Sequence, residues 1–133
     1  MPVTVDVKNR LLLMNPPVPP ISRGIMPTTP NSAVSLNEYP AQAPVLSFGE
    51  PTIDREFIGL QVRVRGESQQ YDEPRAVAER IRTDLAGVQG MILGTTLYFM
   101  IRPTGAPTVV DRETSGSMRV TWGVSFIIEK RPG

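Results

Sequence analysis

Apolar residues recur along the chain with two periods, and each period marks a kind of element. The clearest period of two runs from Phe57 to Arg65, where Ile58, Leu60, Val62 and Val64 point one way and Gly59, Gln61, Arg63 and Arg65 the other. A second strand is expected at Leu97 to Arg102, with Leu97, Phe99 and Ile101 opposite Tyr98 and Met100 and both faces apolar enough to be buried. A third covers Met118 to Glu129, placing Val120, Trp122, Val124, Phe126 and Ile128 opposite Arg119, Thr121, Ser125 and Ile127. Ala33 to Tyr39 reads as a short fourth strand ended by Pro40.

The helical period appears at Tyr71 to Val88. Val77, Ala78, Ile81, Leu85 and Val88 form one stripe, with Arg75, Glu79, Arg82 and Thr83 around the rest. Asp72 is placed to cap the start, and Pro74 fits a first turn that needs no N–H. The first segment is ambiguous. Val3, Val7, Leu11 and Met14 share a helix face, yet Val3, Val5 and Val7 also alternate as a strand would.

Order and type together predict an α+β fold: an antiparallel sheet of about four strands, one main helix packed across a face, and a proline-rich N-terminal arm. Residues 1–32 would hold the short first element and the arm, and 33–133 the domain. Ten of the 14 prolines fall in the first 51 residues, six of them between Pro16 and Pro30, a stretch that cannot form a helix or an inner strand and should run extended. AQAPVLSFGEPTID and PTGAPTVVDRETSGS read as loops. At 133 residues the chain has room for one core without disulfides or metals.

The chain has no histidine and no cysteine, which removes imidazole bases, thiolate nucleophiles and nearly all zinc and haem sites. No G-x-S-x-G elbow occurs, VQGMILG lacks the Lys-Ser/Thr of a phosphate loop, and no acidic run has calcium-loop spacing. The carboxylate pairs Asp54/Glu56, Asp72/Glu73 and Asp111/Glu113 have simpler readings, as helix-start charges or solvated neighbours of arginines. The expectation is therefore a non-enzyme without cofactor or metal. A net charge of +1 gives no bulk attraction to DNA or to an anionic membrane, and the first 17 residues carry Asp6, Lys8 and Arg10 within the apolar pattern, unlike a signal peptide or span. Cytoplasmic synthesis is expected.

From Gly24 onward the sequence resembles the tail terminator, or minor capsid and tail completion, proteins of long-tailed non-contractile bacteriophages. The motifs that carry it are G-I-M-P-x-x-P at Gly24 to Pro30 with A-V-S-L-N-E-Y after it, F-I-G-L-Q-V-R-V-R-G at Phe57 to Gly66, Y-D-E-P-R-A-V-A-E-R-I-R-T-D-L at Tyr71 to Leu85, and a last strand ending F-I-I-E-K. The resemblance implies a structural virion protein at the head–tail junction, assembled in the host cytoplasm. It would form a six-membered ring that caps the tail tube, stops its growth and presents a surface for head joining. Its partners would be further copies of itself, the tail tube protein and the head–tail connector protein, with DNA passing through the lumen and no membrane involved. On that reading Arg63, Arg65 and Arg119 are candidates for a subunit or lumen interface, and Val109, Val110, Asp111 and Arg112 for a loop touching a neighbouring ring. A head-completion or stopper protein, and a monomeric adaptor that binds another protein through the proline-rich front, are the alternatives.

Overall fold

The alternation at Phe57 to Arg65 marks the C-terminal two thirds of the longest strand in a sheet larger than the sequence suggests. The computed structural model of the chain describes residues 2–41, 45–46, 53–67, 69–116 and 118–132. Its elements run α1 (Val3–Leu11), β1 (Ile21–Arg23), β2 (Ala33–Pro40), β3 (Val45–Leu46), β4 (Ile53–Arg65), α2 (Asp72–Ala86), β5 (Gln89–Leu93), β6 (Thr96–Pro103), β7 (Thr108–Arg112) and β8 (Val120–Lys130). Hydrogen-bonded neighbours follow the order β1-β2-β4-β8-β6-β5, with β3 added to β4 and β7 added to β8.

The expected sheet of about four antiparallel strands with one main helix is therefore corrected to a mostly-sheet fold, mixed and curled, with two helices. Each missed strand has a local reason. β1 lies between Pro19-Pro20 and Gly24, and it pairs parallel to β2, Ile21 against Val34. β5 follows Gly87 and contains Gly90, two glycines that read as the end of a helix. β7 lies in the stretch read as a long turn, where a register shift between Val109 and Asp111 breaks the alternation against β8. Much of the expected loop AQAPVLSFGEPTID lies outside the described residues.

Both helices cover the same face. α2 crosses β4, β6 and β8, burying Pro74, Ala78, Ile81 and Leu85. Asp72 makes no cap bond here; it is the first helical residue, and its charge lies in the first turn beside Glu73. The first segment resolves as a helix, with Val3, Val7 and Leu11 buried against the same core as Leu60, Val62 and Val64 of β4 and Val124, Phe126 and Ile128 of β8. The helix reading prevails because that stripe has a core to enter. The front segment thus shares the core of the domain rather than standing apart from it.

On β6 the alternation fails at one point. Tyr98 and Ile101, expected on opposite faces, are both buried. The cause is a register shift against β8 between Tyr98 and Met100, which carries the strand over by one residue. β6 and β7 both pair with the side of β8 that faces away from β4, Pro103 against Phe126 and Thr108 against Gly123. They form one interrupted long strand, with residues 104–107 stepping out of it.

Candidate functional site

The three arginines singled out in the sequence meet different surroundings in the fold. Arg63 is exposed, and its Nε donates to Gln61 Oε1 at 3.0 Å. It borders a cleft of about 530 Å³ with Asn37, Tyr39 and Gln61, beside the loop carrying Ile25 and Met26. Ser35, directly across from Arg63, is fully buried at the same cleft, and its Oγ has no partner among the described residues. Tyr39 lies over Gly59, where a Cβ would come within 2.2 Å of the ring, and donates its hydroxyl to the Phe126 carbonyl.

Arg65 and Arg119 are not on a surface. Both are buried, and both reach into the loop before β2. Arg65 donates to the carbonyls of Asn31 at 2.9 Å, Pro30 at 2.7 Å and Thr28 at 3.3 Å. Arg119 donates to the Thr28 carbonyl at 2.7 Å and to Asn31 Oδ1 at 3.2 Å, and grips Glu113 with two parallel bonds of 2.8 Å. Both forks thus serve backbone carbonyls of the proline-rich segment of their own chain. Arg102 is exposed and lies across from Ile127, whereas Arg63 lies across from Gly123, four residues away along β8.

The arrangement sets the charges of its members. Burial, and then the nearby Arg119, push the Arg65 guanidinium below its ordinary range, while Glu113 opposes this. The Arg119 guanidinium is raised, first by its bond to Glu113. Glu113 is held down to about 2, first by the side-chain bonds from Arg119 and next by the Arg119 backbone N–H. A carboxyl depressed on folding contributes stability above its unfolded value, and that contribution is lost as pH falls through the folded value. Wild-type protein should therefore lose this increment between about pH 5 and pH 2. Urea unfolding of wild type and Glu113→Gln across that range checks it: the gap between the two should close on acidification, and a constant gap contradicts the assignment.

The stretch expected as a loop forms a strand at the four residues singled out in it. Val109, Val110, Asp111 and Arg112 belong to β7, paired with β8 rather than standing free. Val109 turns toward the core, and Val110 lies over Gly123. Asp111 is exposed and accepts the Arg112 N–H at 2.9 Å, while the Arg112 guanidinium lies 5.8 Å from the centre of the Tyr71 ring at the start of α2. Val110, Asp111 and Arg112 all keep exposed side chains. Ser117, at the end of the expected loop, lies outside the described residues.

Of the carboxylate pairs, Glu56 accepts from Lys130 Nζ at 3.0 Å and Glu113 from Arg119; nothing is described of the Asp54 side chain. Among the described residues no group of three or more acidic side chains gathers as a metal site, and no helix is long and apolar enough to cross a membrane.

One polar pair was not singled out in the sequence. Asp6 of α1 is buried, and its Oδ2 accepts a 2.6 Å bond from the Tyr98 hydroxyl of β6. Its Oδ1 faces Gly94, whose φ is +63° and where a Cβ would come within 2.5 Å of that oxygen. Burial, and then the bond to Asp6, push the Tyr98 phenol well above its ordinary value. A buried acid in an otherwise apolar helix stripe was the available signal.

No protein-family model and no curated protein matches the sequence. Among solved structures, one whose name carries no functional description is similar over 98% of this chain and 94% of its own, with a TM-score of 0.61 and 15% identity. At that identity the likeness shows the fold alone.

Proposed function

We propose that the chain is a tail-terminator-like virion protein that closes as a ring, six-membered by the resemblance, on the head-proximal end of a phage tail tube and stops its growth. The observation that carries this reading is where the resembling motifs lie. F-I-G-L-Q-V-R-V-R-G forms the part of β4 that pairs with both β2 and β8, and Y-D-E-P-R-A-V-A-E-R-I-R-T-D-L forms α2 across it, so the resemblance falls on the centre of the fold. Two further features support it. Among the described residues the sheet face opposite the helices carries no helix, and β4 extends beyond its pairing with β2 and β8 to pair with β3, Arg55 against Val45 and Ile53 against Leu46. Such surfaces suit a protein whose work is contact.

On this reading the tube protein and the head–tail connector meet opposite sides of the ring, and DNA crosses its lumen. Deleting the gene in the phage that carries it and measuring tails by negative-stain electron microscopy tests the proposal. Overlong headless tubes are expected. Tails of normal length beside heads that leak DNA would instead assign the chain to the stopper layer, and unaltered virions would remove it from the junction.

A further inference from the structure

We infer that the outer edge of β5 is a self-association site, where a second copy of this chain adds its own β5 antiparallel to the first. β5 ends the sheet: it pairs with β6 through one side, and among the described residues no strand covers the other. An open edge offers a row of unpaired N–H and C=O groups, and folded proteins ordinarily guard such edges with charges or prolines. The opposite end of this sheet is guarded, since β1 has three residues and follows Pro19-Pro20 directly. β5 is not. It lies within Leu85 to Ile101, seventeen residues without a charge and the longest such run in the chain.

The side chains there are also out of place for a solvent edge. Ile92 is 68% exposed, and in the turn after α1 Leu12 and Leu13 are 59% and 84% exposed. The end of α1 lies against β5, with Arg10 Nη1 3.3 Å from Met91 Sδ.

A second copy fits this edge for an electrostatic reason. Antiparallel pairing about a two-fold axis sets a strand against itself, so any charge on it meets its own sign. An edge with none meets no such penalty, and it offers a foreign partner no charge pattern to read. Main-chain bonds would supply much of the affinity and Met91, Ile92 and Leu93 the apolar cover.

This inference concerns the protein free in solution and does not rest on the terminator reading; tail lengths test that one, and sedimentation tests this. Sedimentation velocity from micromolar to near-millimolar concentration should show reversible self-association of the full chain. Ile92→Lys should weaken it by roughly tenfold or more, whereas Ile25→Lys, at an isoleucine 90% exposed beside β1, should leave it intact. Hydrogen exchange of β5 amides should slow as the wild-type concentration rises. A wild-type protein that stays monomeric across the range overturns the inference. So does association that survives Ile92→Lys but is lost in Ile25→Lys.

Discussion

Tyr98→Phe is expected to lower stability by roughly 2–4 kcal/mol, although it deletes a single oxygen. Among the described residues the Tyr98 hydroxyl is the one donor to the Asp6 side chain, which is 2% exposed and bonded through Oδ2 alone. Removing one partner of a buried polar pair leaves the other carrying its full desolvation cost, whereas removing both is much milder. Tyr98→Phe with Asp6→Leu should therefore be more stable than Tyr98→Phe alone. Chemical denaturation of the three proteins at neutral pH decides it. A Tyr98→Phe variant within about 0.5 kcal/mol of wild type would show that the pair contributes little.

Gly94→Ala is expected to cost about 3 kcal/mol by a related route. A side chain at φ +63° is strained by roughly 1–2 kcal/mol. Its Cβ would also stand 2.5 Å from Asp6 Oδ1, so the carboxylate must move, and with it the bond to Tyr98. Because both substitutions act on one pair, their effects should not add: the double variant should be more stable than the sum predicts, by about 1 kcal/mol or more. Thermal unfolding checks this, since about 3 kcal/mol in a domain of this size lowers the midpoint by roughly 10 °C. Strict additivity would mean that Gly94 matters for its backbone alone.

The long elements were readable in the sequence because their periods were long enough to be unambiguous. β4, β8 and α2 lie where Leu60-Val62-Val64, Val124-Phe126-Ile128 and Ala78-Ile81-Leu85 place them, with those side chains inward. The sheet's size was not readable, since β1, β3, β5 and β7 have two to five residues each, and glycine or proline nearby imitates a turn. The shift on β6 could not be foreseen either, because a bulge is decided by the partner strand and leaves no mark in the alternation. The partners of Arg65 and Arg119 were unreadable for a similar reason. An arginine at an outward strand position looks solvated until the chain that folds over it is known, and here residues 28–31 do so. Asp6 was read only as a charge that sets the first residues apart from a signal peptide or span, and its bond to Tyr98 of β6 is a tertiary contact that the local pattern does not show.

The two strands that pair at the heart of the sheet are far apart in the chain, Val62 lying beside Val124. While the protein is being synthesised, β4 leaves the ribosome with β2 already available on one side and nothing for the other until β8 follows. During that interval its open side and apolar row, Leu60, Val62 and Val64, are exposed to any other nascent chain nearby. The loop that closes them is long, which makes the step slow rather than costly. Translation rate and chaperone supply, more than native-state stability, should then set how much correctly folded subunit a cell obtains.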